Sequence, residues 1–504
     1  MVDKDLLSIQ EVRALVRAAR KAQPEFAQMS QERVDAVIKA VSEAAAAQSE
    51  TLGAMAAEET GFGKPQDKKT KNLLASEKVY ACIRNMKTVG ILSTNNQTKV
   101  VEVAVPVGVI AGIVPSTNPT STTIYKSLIA LKAGNAIVFT PHPSARKCIA
   151  KTVEIIQGAL RGCNVSADLV SCITIPTIEG TNELMKICDL ILATGGPGMV
   201  KAAYSSGTPA LGVGAGNTPA YIERTADVES AVTKIMSSKT FDNGTICASE
   251  QSIVTESCIA AKVRATLEAQ GAYFLQGEKL EKVKNVMERG NGSMNPAIVG
   301  RDAMTIARIA GIDVPQGTRL LVSDEKGVGP RYPFSKEKLT ALLGFYVVED
   351  WREACELCTA LLHNCGAGHT LAIHSNNEEI IREFGLKKPV SRIMVNTPAT
   401  QGAVGLSTGL FPSFTLGCGA VGGSATSDNV TPMNLINVRR VAYDLNSPCR
   451  CFDSGHGAAC HTAAPAASCC SGSGHGSSAP ATGVGNLDIN AVTELIVAEL
   501  KKVL

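Results

Sequence analysis

Val107-Gly108-Val109-Ile110-Ala111-Gly112-Ile113-Val114 is an unbroken apolar run that stops at a polar turn, Pro115-Ser116-Thr117-Asn118-Pro119-Thr120. A short apolar run between turn signals suits a strand buried on both faces, as in a parallel sheet. The segments on either side decide between a lone strand and a layered fold. Downstream come a helix (Ile124 to Lys132), a Gly134-Asn135 break, the strand Ala136-Ile137-Val138-Phe139 and a second polar turn, Thr140-Pro141-His142-Pro143-Ser144. A helix to about Leu160, a strand Leu169 to Thr174, a helix over 179–187 and a strand Leu190 to Thr194 continue the alternation. This predicts a doubly wound α/β domain with a parallel sheet, whose ligands bind at the carboxyl ends of the strands. Both polar turns lie at such ends, as does Gly195-Gly196-Pro197-Gly198, which follows a strand and opens a helix (Met199 to Tyr204). That context suits a phosphate at a helix N-terminus, although the spacing is not the Gly-x-Gly-x-x-Gly fingerprint and a glycine turn is often only a turn.

Upstream, Lys99 to Val105 alternates with period two and reads as a strand. Residues 8–50 keep a helical 3–4 spacing that Pro24 is expected to break into two helices, and 51–90 continue helical around a break at Gly61 to Pro65. Beyond the glycine turn a second strand-and-helix series runs from 250 to about 420, after a helix over 226–239. Between them stands Thr240-Phe241-Asp242-Asn243-Gly244-Thr245-Ile246-Cys247-Ala248-Ser249-Glu250-Gln251. A cysteine in a small glycine-containing loop can be a nucleophile, because the thiolate is intrinsically nucleophilic. Taken alone, Cys247 reads more readily as a small buried hydrophobe. Cys355 and Cys358 form a lone C-x-x-C inside an amphipathic helix and read as packing, so no metal site is expected.

The chain has 504 residues, enough for two or three cores, with 45% hydrophobic and 19% charged residues. A net charge of +3 points to neither nucleic acid nor an acidic membrane. No apolar run reaches the ~18–20 residues of a membrane span, and the charged start Met1 to Asp5 lacks a signal-peptide core. Sixteen cysteines are scattered without a disulfide framework, which suits a reducing cytosol. Residues 446–485 change abruptly to Ser, Gly, Ala, Pro and Thr with scattered Cys and His, a flexible linker by composition. A metal-binding or scaffold protein built on this tail is the non-enzyme alternative, and truncation at 446 with zinc stoichiometry separates it.

The segment Phe241-Asp242-Asn243-Gly244-Thr245-Ile246-Cys247-Ala248-Ser249-Glu250 resembles the nucleophile loop of the aldehyde dehydrogenase superfamily, and in particular its coenzyme-A-acylating branch. The resemblance covers roughly residues 5–445. It implies a Rossmann-like cofactor domain (1–224, with an oligomerisation strand near 99–105), a catalytic domain (225–424) and a closing oligomerisation segment (425–445) in a dimer or tetramer. It implies Cys247 as nucleophile, Asn118 in Ser-Thr-Asn-Pro-Thr as oxyanion donor and His369 in Gly-His-Thr near the incoming thiol. It places Glu337 of Glu-Lys-Leu-Thr-Ala on the nicotinamide ribose. Cofactor contacts are implied for Pro115, Ser116, Thr140, His142, Pro143, Gly195, Gly196, Gly198, Val213 and Gly214. Independently, Asn118 reads as a turn residue, Glu337 as a surface glutamate and His369 as a structural histidine. Two departures from hydrolytic members matter. Their water-activating glutamate is replaced by Val213, which cannot accept a proton. Their Lys-Pro-Ser-Glu turn becomes Thr140 to Ser144 without the lysine. The implied reaction joins a short aldehyde (acetaldehyde or propionaldehyde), NAD and coenzyme A. A hydrolytic or semialdehyde-type dehydrogenase is the alternative within enzymes.

The last residues return to helical spacing, with Leu487, Ile489, Val492, Leu495, Ile496, Leu500 and Val503 on one face. An amphipathic helix (486–504) behind a long tether is similar to the encapsulation peptides that load enzymes into bacterial microcompartments. This implies shell proteins as partners and a cytoplasmic location inside such a shell.

Overall fold

The computed structural model describes residues 3–290 and 292–446. It contains three sheets. Strands β1 (Gly90–Asn95) and β2 (Val100–Pro106) pair antiparallel. The apolar run then becomes β3 (Val109–Val114), the middle strand of a five-stranded parallel sheet with β4 (Ala136–Pro141), β5 (Val170–Cys172), β6 (Leu190–Thr194) and β7 (Ala210–Val213) in the order β5-β4-β3-β6-β7. All residues of β3 and β4 are buried, which is why their sequences show no alternation. The helix between them, Pro119–Lys132, is buried along all its length, so it too lacks a polar face. Its Lys126 sits inside the core and donates to the carbonyls of Ile113 (2.7 Å) and Leu192 (2.8 Å), tying the carboxyl ends of β3 and β6 together.

The second sheet has seven parallel strands: β8 (Thr218–Ile222), β9 (Glu250–Glu256), β10 (Ala272–Leu275), β11 (Leu320–Asp324), β12 (Leu342–Val348), β13 (Gly368–His374) and β14 (Val390–Val395), in the order β10-β11-β12-β9-β8-β13-β14. The last strand, β15 (Ile436–Ala442), returns to pair antiparallel with β2, giving the three-stranded sheet β1-β2-β15. The expected α/β class with parallel sheets is therefore what the chain adopts.

Three local readings change. Pro24 does not end a helix. The first helix runs Lys4–Ala27 through it, and the break falls at Gln28-Met29 before the Ser30 cap of Gln31–Ala47. Proline loses one hydrogen bond there, but only three helical residues follow it, and Phe26 anchors that turn in the core. The helix after the first polar turn starts at Pro119, not Ile124, because proline at the first helical position is already set for the helix. The crossing between sheets lies between Val213 and Thr218, ahead of residue 224, because β8 pairs with β9 and β13 of the second sheet. The 446–485 linker and the 486–504 helix lie outside the described residues from 447 onward. Among the described residues no helix is long and apolar enough to cross a membrane, and no group of three His, Cys, Asp or Glu could hold a metal ion.

Candidate active site

The carboxyl ends of β3, β4 and β6 open onto a cavity of about 490 Å³. One wall carries Pro115, Ser116 and Asn118 after β3, and Thr140, His142 and Pro143 at the end of β4. Gly195 and Gly196 after β6 and Gly214 after β7 line it next, and Ile246, Cys247, Glu337 and Leu339 close it from the second sheet. Two polar turns, the glycine turn and the cysteine loop, far apart in sequence, thus share one space.

The cysteine loop is held by its backbone. Asp242 (φ 48°), Asn243 (φ 51°) and Gly244 (φ 74°) are left-handed in succession. Only glycine adopts that conformation freely, and Asn and Asp tolerate it better than other residues. The turn is fastened on each side. Asn243 donates to the Gly300 carbonyl (2.9 Å), and the fully buried Asp242 carboxylate accepts from the Lys64 N–H (2.7 Å), Thr245 Oγ1 (2.7 Å), Lys68 Nζ (3.1 Å) and Lys71 Nζ. Gly216 is needed where the two sheets meet: a Cβ there would lie 2.0 Å from the Cys247 carbonyl oxygen and 3.1 Å from His369 Cγ.

Cys247 lines the cavity. Burial, then the Glu337 carboxylate and Cys418, push its thiol up to about 12, and Arg392 opposes them. Arg392 is itself buried against carbonyls, donating to His369 O (3.1 Å), Ser427 O (3.1 Å) and Gly417 O. Glu337 is the one carboxylate among the described residues of the cavity wall. It accepts from the Gly216 N–H (2.9 Å), and burial raises its pKa to about 7. Asn118 points its amide across to the cysteine loop: Nδ2 donates to the Thr245 carbonyl (3.0 Å) and lies 3.3 Å from Thr117 Oγ1, while Oδ1 accepts from Lys71 Nζ (2.6 Å). His142 at the mouth accepts from the Ser144 N–H (3.2 Å), and burial lowers its pKa.

Three of the sequence-derived residues are not in the wall. His369, second in β13, is fully buried beside Gly216, with Nδ1 on Thr370 Oγ1 (2.8 Å) and Nε2 without a protein partner. Burial, then Arg392, lower it to about 3, so it is neutral near pH 7. Val213 ends β7 with its side chain packed inside, and the wall begins at the next residue, Gly214. Gly198, second in the helix Pro197–Ser205, is skipped by the wall, which takes Gly196 and Met199 on either side of it.

The cavity accepts a dinucleotide in kind. A Cβ on Gly196 or Gly214 would meet nothing within 4 Å, so both leave room for a ligand against bare backbone. The helix Pro197–Ser205 starts there without a side-chain cap, and since Pro197 has no N–H and the Met199 N–H is on the Gly196 carbonyl (3.0 Å), the Gly198 N–H is the first-turn donor left for an anion. Lys68, Lys71, Arg392 and Asp67, whose carboxylate accepts from the Asp242 N–H (2.8 Å), support the site, and no sequence signal singled them out. The lysines sit in Lys68-Lys69-Thr70-Lys71, which reads as a solvated charged face until the fold buries two of them.

Comparison with known proteins identifies a family. Residues 5–324 match the model of the aldehyde dehydrogenase family. The bifunctional aldehyde-alcohol dehydrogenase AdhE of Escherichia coli K12 is 45% identical over 442 residues, 86% of this chain and 50% of that protein, so the chain spans about half the length of this curated relative. An acetylating aldehyde dehydrogenase from Geobacillus thermoglucosidasius superposes with a TM-score of 0.87 at 50% identity, covering 89% of this chain and 99% of that one. A propionaldehyde dehydrogenase from the Clostridium phytofermentans fucose utilisation bacterial microcompartment gives 0.78 at 29% identity, covering 86% and 97%. A Rhodopseudomonas palustris propionaldehyde dehydrogenase, solved with bound CoA and an acylated cysteine, gives 0.77 at 27%, covering 86% and 97%. On the family match and these relatives, the chain belongs to the aldehyde dehydrogenase family.

Proposed function

We propose that the chain is a coenzyme-A-acylating aldehyde dehydrogenase, converting a short aldehyde, NAD and coenzyme A to acyl-CoA and NADH. The observation that carries this is the cavity wall, which brings Cys247, Asn118 and Glu337 together, and by the resemblance Val213 stands where hydrolytic members have their water-activating glutamate. The Cys247 thiolate adds to the aldehyde carbon, and the carbonyl oxygen takes the charge. Asn118 Nδ2, with a backbone N–H of the loop, stabilises that oxyanion in a site shielded from water, an effect of about 3 kcal/mol. Bound nicotinamide supplies the hydride acceptor. Glu337 orients the ribose from beside Gly216. With Glu337 committed to the ribose and to the Gly216 N–H, no second carboxylate among the described residues of the cavity wall is left to activate water on the Cys247 thioester, so the thiol of coenzyme A, with a free thiol pKa of ~8.5, is the effective nucleophile. Attack by that sulfur expels the Cys247 thiolate and releases acyl-CoA. His369, neutral near pH 7 and buried beside Gly216, stands behind the wall and is assigned no proton transfer.

The acetylating relative and the structure holding CoA and an acylated cysteine support the acyl-transfer half. The microcompartment relative supports a further reading, in which the segment 486–504 directs the enzyme to a shell inside the cytoplasm. The sheet β1-β2-β15 provides an exposed edge for pairing subunits into a dimer or tetramer. The decisive assay is steady-state turnover of C2 to C4 aldehydes with and without coenzyme A. Acyl-CoA formation that needs coenzyme A is the expected result. Free acid formed at the same rate without it favours the hydrolytic alternative.

A further inference from the structure

Lys71 is buried behind Asn118, on the helix Pro65–Leu73, and touches both the Asn118 turn and the cysteine loop. Its ammonium donates to Asn118 Oδ1 (2.6 Å), to Asp242 Oδ2, and to the carbonyl (3.3 Å) and hydroxyl (3.4 Å) of Thr245. Lys68, one turn earlier, also reaches Asp242, but its second contact is the backbone carbonyl of Thr117 (2.9 Å). The two lysines therefore share the carboxylate, and only Lys71 adds the amide. A π-helical turn, Leu74–Lys78, follows directly, a rare distortion found mostly at functional sites.

An asparagine amide fits its pocket in two flips, with oxygen and nitrogen exchanged. An ammonium has donors and no acceptor, so it tolerates only the oxygen. With Oδ1 held by Lys71, Nδ2 must face the cysteine loop, where one N–H meets Thr245 O and the other has only the long contact to Thr117 Oγ1. A cation on the carbonyl oxygen also draws electrons from the nitrogen and strengthens its N–H as a donor. We propose that Lys71 is a positioning residue that fixes and polarises the Asn118 amide for the oxyanion formed on Cys247. This rests on the acyl-transfer reading above.

The test is a double-mutant cycle in the full chain: wild type, Lys71→Met, Asn118→Ala and the pair. It is read by kcat, by KM for coenzyme A and by NADH affinity from fluorescence titration. Lys71→Met is expected to lower kcat about 10- to 100-fold, with KM for coenzyme A and NADH affinity unchanged. In the Asn118→Ala background the same change is expected to cost less than about twofold, because the group it acts through is gone. A merely structural lysine would cost the same in both backgrounds. Equal losses, or a loss below about fivefold in the wild-type background, overturn the proposal. Where Lys71→Met does not fold, Lys71→Gln replaces it in the same cycle. A wild type that forms no acyl-CoA overturns the functional reading and this proposal with it. An active wild type with an additive cycle overturns this proposal alone.

Discussion

At Cys247 two needs compete. A nucleophile must be a thiolate, yet burial and Glu337 hold this sulfur as a thiol. The raised pKa sets the sign of the pH response: below it the thiol dominates, and each step up in pH exposes more thiolate. Alkylation of the unliganded enzyme by iodoacetamide is expected to accelerate steadily from pH 7 to 9. A plateau below pH 8 would show a thiolate already formed and sink this account. Cys247→Ala is expected to abolish aldehyde oxidation, by about a thousandfold or more, while the melting temperature holds. Near-normal turnover would end the mechanism. Val213 offers a subtler check. Val213→Glu should raise free acid relative to acyl-CoA by turning a carboxylate from this packed position into the cavity past Gly214, and unchanged free acid would show that it stays behind the wall. Because Val213 is buried, circular dichroism must first show the variant folded.

At the level of elements, the cysteine loop and the helix Pro65–Leu73 act as one piece, joined through Asp242. Two buried lysines and a left-handed backbone converge on this carboxylate. Burial alone would raise its pKa, but Lys71 and then Lys68 outweigh it and hold it below 3.8. Asp242→Asn leaves the lysines without that counter-charge, and a loss of about 3 kcal/mol in unfolding free energy is expected. A carboxylate with a depressed folded pKa contributes stability that is present above its unfolded value and lost as pH falls through the folded one. The gap between wild type and Asp242→Asn in urea melts should therefore be full at neutral pH and shrink as pH drops below 3.8. A gap independent of pH would show that Asp242 acts through hydrogen bonds alone.

For the whole molecule, the last described strand, β15, closes onto β2, more than three hundred residues earlier, before the composition changes. The change in composition at 446 follows this strand closely in sequence. Isolated helices of the length of 486–504 are marginal in water and gain order only when docked. Fused to a fluorescent protein, residues 486–504 are expected to concentrate it in a co-expressed microcompartment shell, and their deletion is expected to leave soluble activity unchanged. Diffuse fluorescence with the intact tail would count against the shell as partner.

Period and punctuation in the chain were enough to determine the strand-and-helix alternation, because buried parallel strands print continuous apolar runs and their carboxyl-end turns print Gly, Pro, Asn and Ser. The motif around Cys247 carried the family resemblance, and separate matches at Ser-Thr-Asn-Pro-Thr, Glu-Lys-Leu-Thr-Ala and Gly-His-Thr pointed to Asn118, Glu337 and His369. The tertiary structure alone decided which of these share a wall. His369 and Val213 lie behind it, because a side chain's neighbours depend on packing between segments more than a hundred residues apart. Only the fold could reveal Lys71. In sequence it is one lysine in a charged stretch, and its meaning comes from a carboxylate and an amide that approach it from residues 242 and 118. Burial, which raises the energy of every unpaired charge, turns that meeting into a constraint on the site.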